Sequence, residues 1–241
     1  MKLGVIGGSG IYSLGSVVSE KEISTNYGAV QISVVQINGA EIAFVARHGK
    51  DHNLPPHKVN YQANIAALKQ IGVESIIATN AVGGITEDAG PGTLILPDQL
   101  IDYTWGRKHT FYDVFSSGVS HIDFTEPFDH GLREMLKKSL ERCVDDYSAC
   151  GVYGCTQGPR LETAAEVERC KRDGCTIIGM TGMPEAALAR EADLGYASLC
   201  FSVNWAAGVQ GAVSIEDVFR QVEYCSGNIK LVLEDAVRNF H

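Results

Sequence analysis

At 241 residues and 45% apolar content, the chain is long enough to bury one large core, and a single α/β domain over residues 1–241 is the simplest organisation. A formal net charge of −9 argues against nucleic acid as the main partner, because such proteins favour a basic face. No apolar run approaches membrane-spanning length, and seven cysteines without a C-x-x-C pair fit core thiols in a reducing compartment.

Met1–Ile6 enters an apolar strand at once, without the longer apolar run and cleavage site of a signal peptide, so a cytoplasmic location is expected. Lys2–Ile6, Val30–Ile37 and Glu41–Ala46 read as strands, the last two hairpin-like, and Lys58–Ile71 as a helix. Ser75–Thr79 and Thr93–Leu96 read as buried strands. The pattern continues with helix Leu132–Tyr147, strand Val152–Thr156, helix Thr163–Lys171 and strand Thr176–Gly179. Helix Pro184–Asp193, strand Tyr196–Val203 and a long helix from Ser214 complete it, with Pro184 suited to a first helical turn. Strand–helix alternation predicts an α/β fold: a single domain with a mixed, largely parallel central sheet flanked by helices. The segment Tyr103–Phe128 lacks periodicity, and a long irregular stretch in a compact domain is more often functional than idle.

Several polar or glycine-rich turns fall at strand ends. Gly7-Gly8-Ser9-Gly10 follows the first strand and offers backbone N–H groups and a hydroxyl to an anion. A dinucleotide fingerprint begun at Gly8 fails, because position 13 is Ser13. Arg47-His48-Gly49 closes another strand, where a guanidinium can grip an oxyanion or else pair with an acidic side chain. His48, His52 and His57 invite a metal reading, but Gly49 and Pro55-Pro56 break the helix it would need, and no metal is expected. Thr79-Asn80-Ala81-Val82-Gly83-Gly84 and Thr181 are two further polar strand ends. Their convergence makes a shared anion pocket more plausible than any one alone.

These segments, with Pro56–Asn64, Gln157-Gly158-Pro159-Arg160 and Met180–Glu185, resemble the purine nucleoside phosphorylase family, in particular its methylthioadenosine phosphorylase branch, over nearly the whole chain. The resemblance implies a trimeric α/β enzyme with inorganic phosphate as co-substrate, no cofactor and no membrane partner. It implies a phosphate site at Ser9, Arg47, His48, Asn80, Ala81 and Thr181, and a ribose contact at Met180. Base contacts would lie at Leu161, Glu162, Asn204 and Ala206, with Trp205 in the same stretch, and Ile215 and Val218 beside the sugar 5′ position. His121 would be supplied by a neighbouring subunit.

The departures from the family pattern are informative. The methylthioadenosine branch carries aspartates at the positions of Asn204 and Ala206 and a serine at that of Glu162. Phosphorylases that cleave inosine and guanosine resemble this chain at Glu162 and Asn204, yet use a polar residue where Ile215 and Val218 stand. Val203 also lacks the hydroxyl usual at its position. Asn204 carries a donor and an acceptor, which suits a 6-oxopurine. The expected substrate is therefore 5′-methylthioinosine, cleaved to hypoxanthine and 5-methylthioribose 1-phosphate, with Asn204, Glu162 and His48 as candidate catalytic residues. Methylthioadenosine phosphorylase, inosine/guanosine phosphorylase and a non-catalytic nucleoside-binding protein are the alternatives.

Overall fold

The computed structural model describes residues 1–11, 14–113 and 121–240. Ser13 and the 114–120 part of the irregular segment lie outside the described residues. In chain order the strands are β1 (Leu3–Gly7), β2 (Ser16–Thr25), β3 (Gly28–Ile37), β4 (Ala40–Ala46), β5 (Ser75–Gly84), β6 (Leu94–Ile95), β7 (Gln99–Asp102), β8 (Tyr147–Ser148), β9 (Val152–Cys155), β10 (Ile177–Gly179) and β11 (Gly195–Trp205). The helices are α1 (Tyr61–Gln70), α2 (His130–Cys143), α3 (Ala164–Arg172), α4 (Glu185–Glu191) and α5 (Ile215–Arg238).

All of these strands join one sheet with the main order β2-β3-β4-β1-β5-β10-β9-β7, while β11 pairs with β5 and β6. The centre is parallel: β5 lies between β1 and β11, and both pairings run in the same direction. The β2-β3-β4 ribbon and the contacts of β10 with β5 and β11 with β6 are antiparallel. The fold is thus the expected mixed α/β sheet. Buried strands such as β1 and β11 read as continuous apolar runs because helices cover both faces.

The helices are set by capping chemistry. Asp129 accepts from the Leu132 N–H and starts α2, and Thr163 with Glu166 forms a complete capping box on α3. The first helix is shorter than its sequence pattern suggests: Pro56–Lys58 forms a separate 3-10 turn, and Asn60 caps α1 by accepting from Ala63 N–H. The long C-terminal helix buries Cys225, Ile229, Val232, Leu233, Ala236 and Val237, one apolar stripe at helical spacing. That stripe meets Leu132, Leu136 and Leu140 of α2 and the apolar side chains of β11. None of the seven cysteines is paired, and five lie in the core. Among the described residues no helix is long and apolar enough to cross a membrane.

Candidate active site

The carboxyl ends of β1, β4, β5, β10 and β11 converge on a cavity of about 430 Å³. This is where ligands collect in open α/β sheets. All but three of the residues expected from the sequence line it: Ser9, Arg47, His48, Ala81, Leu161, Glu162, Met180, Thr181, Asn204, Ala206, Ile215 and Val218. The exceptions are Asn80, Trp205 and His121. The loop His52–Pro56 adds an unanticipated wall.

Arg47 is fully buried and takes the second alternative read from its sequence context, an ion pair with an acidic side chain. Its Nε and Nη2 form a two-pronged bridge to the Glu185 carboxylate at 2.7 and 2.6 Å, and Nη1 donates to the Thr79 carbonyl at 2.7 Å. Burial works against the guanidinium charge, but the Glu185 carboxylate outweighs it and holds Arg47 protonated. Five N–H groups minus these three bonds leave two donors, so Arg47 can still face an anion while its charge is already matched. Tyr196 donates to the same carboxylate at 2.9 Å.

The glycine turn differs from its sequence reading at one atom. Gly8 N–H donates to Thr79 Oγ1 at 2.9 Å and is therefore spent inside the fold rather than offered to a ligand. A Cβ on Gly8 would sit 2.5 Å from the Thr79 carbonyl oxygen and 2.9 Å from Arg47 Nη1, so only glycine lets β1, β5 and the arginine approach this closely.

His48 closes a ring with the loop that follows it. Leu54 N–H donates to the His48 carbonyl at 3.1 Å, and His48 Nδ1 lies 2.8 Å from the Leu54 carbonyl. A carbonyl only accepts, so Nδ1 carries the proton and the neutral ring presents Nε2 as an acceptor. Burial, reinforced by the Arg47 charge and opposed by the Leu54 bond, lowers the His48 pKa to about 4. His52 packs on this ring with centroids 4.8 Å apart.

Asn80 stands one layer back from the cavity. Its side chain is buried behind the cavity wall, where Oδ1 accepts from the Thr181 hydroxyl at 2.7 Å and Nδ2 donates to Ser198 Oγ at 2.6 Å. It orients Thr181 rather than meeting the cavity itself.

At the carboxyl end of β11, its pairing with β5 slips between Ser202 and Asn204. This bulge at Val203 leaves one residue unpaired and re-aims the strand, so Val203 and Asn204 both reach the cavity. Trp205 does not line this cavity. The strand has resumed its alternation there, and the indole packs outside the cavity, 3.0 Å from where a Cβ on Gly90 would stand. Asn204 Nδ2 donates to the Trp205 carbonyl at 2.6 Å, leaving its second N–H and Oδ1 for a ligand. Glu162 stands just before the cap of α3 and accepts from the Thr156 hydroxyl.

His121 is exposed and does not line this chain's cavity. A residue supplied by a neighbouring copy would not do so.

Two organising residues were missed by the sequence reading. Arg107, from the irregular segment, is buried and donates to the carbonyls of Thr156, Gln157, Met180 and Met183. It ties the chain after β9 to the chain after β10. Thr156 supports Glu162. A lone arginine in an aperiodic stretch and a threonine at a strand end carry no sequence signature.

The pattern of the phosphorylase superfamily matches residues 2–238. The chain belongs to that superfamily. It is 48% identical over 242 residues to a probable S-methyl-5′-thioinosine phosphorylase of Xanthomonas campestris pv. campestris, covering 98% of this chain and 97% of the relative. It is also 44% identical over 216 residues to the 6-oxopurine nucleoside phosphorylase of Pyrococcus furiosus, covering 87% and 82% of the two chains. Among solved structures, methylthioadenosine phosphorylase from Schistosoma mansoni in complex with adenine superposes with a TM-score of 0.91 at 32% identity, over 99% of this chain and 91% of that one.

Proposed function

We propose that this phosphorylase cleaves 5′-methylthioinosine with inorganic phosphate, giving hypoxanthine and 5-methylthioribose 1-phosphate. The observation that carries the reading is the pairing of Asn204 with Glu162 on one cavity whose far rim is apolar. A 6-oxopurine presents O6, N7 and a protonated N1. Asn204 Nδ2–H meets O6, its Oδ1 accepts from N7–H once the departing base has taken a proton there from solvent, and Glu162 accepts from N1–H. Adenine offers an amino group and an unprotonated N1, so an ionised Glu162 would face a lone pair. A buried polar group left unpaired costs about 1–3 kcal/mol, roughly five- to 150-fold in rate. Relatives bearing the thioinosine and 6-oxopurine names support the same choice.

The tail end decides between methylthioinosine and inosine. Val213, Ile215 and Val218 line this rim and offer no hydroxyl partner. Ile215 is 56% exposed, so a methylthio group both buries itself and covers this side chain. That contributes on the order of 1–2 kcal/mol over a 5′-hydroxyl left without a partner.

The reaction needs positioning and electrostatics. As the C1′–N9 bond stretches, the electron pair leaves with the purine and the ribosyl ring gains positive charge. Phosphate held by Ser9, Arg47, His48, Thr181 and the Ala81 backbone stabilises that charge from the opposite face and then attacks C1′. The neutral His48 ring accepts a hydrogen bond at Nε2 from a protonated phosphate oxygen, and the proton stays on phosphate. Asn204 stabilises the charge gathered on the departing base. Phosphate is a co-substrate in this scheme, and no cofactor takes part.

The family resemblance implies a homotrimer with His121 of one copy completing the site of the next, and a cytoplasmic enzyme is the reading the sequence supports. Hypoxanthine release with and without phosphate tests the chemistry: release only with phosphate is expected, and release in its absence would mean hydrolysis.

A further inference from the structure

Glu162 is held by a second side chain, and that contact has consequences for substrate choice. We propose that Thr156 is a specificity-determining positioning residue: its hydroxyl pins one carboxylate oxygen of Glu162 and leaves the other to accept from a protonated ring nitrogen. The inference rests on the 6-oxopurine reading above and deepens it.

Four observations converge. Thr156 Oγ1 donates to Glu162 Oε1, a charge-assisted bond across six residues of chain. The competing acceptor for that one proton, the Gly179 carbonyl, lies at 3.3 Å and is the weaker partner. The Thr156 backbone is fixed from both sides, since its N–H donates to the Gly179 carbonyl at 2.7 Å and its own carbonyl accepts from Arg107 Nη2 at 3.2 Å. Finally, Glu162 lies on the wall between the main cavity and a smaller one of about 220 Å³ lined by Thr156, Gln157 and Trp105, giving the carboxylate a second side toward which to turn. The hydroxyl prevents that turn. The carboxylate oxygen left free on the cavity side accepts from N1–H of a 6-oxopurine but meets only a lone pair on N1 of a 6-aminopurine. Thr156 therefore acts through Glu162 on the choice of base.

The test compares the parent enzyme with Thr156→Val, which keeps the shape and removes the hydroxyl, and Thr156→Ser, which keeps the hydroxyl. Each is assayed for kcat and KM on methylthioinosine and methylthioadenosine, with thermal unfolding measured alongside. For Thr156→Val we expect kcat/KM on methylthioinosine to fall about tenfold or more, with a much smaller change on methylthioadenosine, so that the ratio of the two collapses. Thr156→Ser should restore the ratio to within about threefold of the parent. Equal losses on both substrates, an unchanged ratio, or no rescue by serine would overturn the inference. The function reading is judged separately by the parent alone: if the parent prefers methylthioadenosine, that reading falls and this inference with it, whereas a parent preference for methylthioinosine with an unmoved Val ratio removes Thr156 only.

Discussion

Asn204 is the side chain on which the proposed chemistry turns, and its position follows from a bulge. Without the slip at Val203, strict alternation would aim Val203 and Asn204 at opposite faces of the sheet. Asn204→Asp exchanges a donor for an acceptor opposite O6, and should lower kcat/KM on the 6-oxo substrate by about tenfold or more. Steady-state rates on methylthioinosine check this, and an unchanged rate would remove Asn204 from the base site. His48 gives a prediction in pH. Its pKa falls from an ordinary value near 6.5 to about 4 on folding, so the unfolded chain binds more protons between these limits. Stability contributed by the neutral ring is therefore complete above about pH 6.5 and is lost as pH falls toward 4. The loss from this group is about 2 kcal/mol by pH 5. The lowered pKa of His52 acts in the same direction. Urea midpoints at pH 7 and pH 5 should differ in the parent and differ less in His48→Gln. Equal slopes in the two proteins would contradict the assignment.

The elements around the cavity are locked to one another by buried groups. The pair between Arg47, closing β4, and Glu185, opening α4, is fully enclosed. Removing one partner leaves an uncompensated charge, so Glu185→Ala should destabilise by about 3–5 kcal/mol, read from the urea midpoint. Gly10 sets the approach of α5 to the glycine turn after β1: its φ is +78° and a Cβ there would lie 2.5 Å from Val222 Cγ1. Gly10→Ala should cost about 1–3 kcal/mol and raise KM, because the displaced helix carries Val218. At this scale the sequence was legible wherever one physical rule dominated. The central strands announced themselves as apolar runs, and α5 as a stripe at helical spacing. The strand β2 escaped because its side chains are mostly exposed on both faces, which erases the alternating signal. The start of α1 was misplaced because Pro55-Pro56 directs a separate turn before the Asn60 cap. The candidate site was legible as polar strand ends converging on one place. The side-chain network behind it was not: Asn80 behind Thr181, Thr79 on Gly8, and Arg107 across two strand ends depend on contacts between residues far apart in the chain.

On the scale of the whole molecule, parallel strands bring the glycine-rich and polar turns and the carboxyl end of β11 to one edge of the sheet, where the first turns of α5 line the cavity rim. Exposed Phe219 and Tyr224 on the outer side of that helix, and exposed His121, are surface features of an isolated chain that a neighbouring copy would cover. Sedimentation should give three times the 26.0 kDa chain mass, and His121→Ala should lower kcat/KM without moving the unfolding temperature. A fully active monomer would contradict the shared-site arrangement. The relatives divide between thioinosine and 6-oxopurine names on one side and an adenine-bound methylthioadenosine phosphorylase of the same fold on the other. Shared architecture therefore leaves the base to be chosen by a few side chains. The most direct measurement is the ratio of kcat/KM for methylthioinosine to that for methylthioadenosine, taken on one preparation at saturating phosphate. The account predicts a ratio of at least about ten; faster cleavage of methylthioadenosine would contradict it.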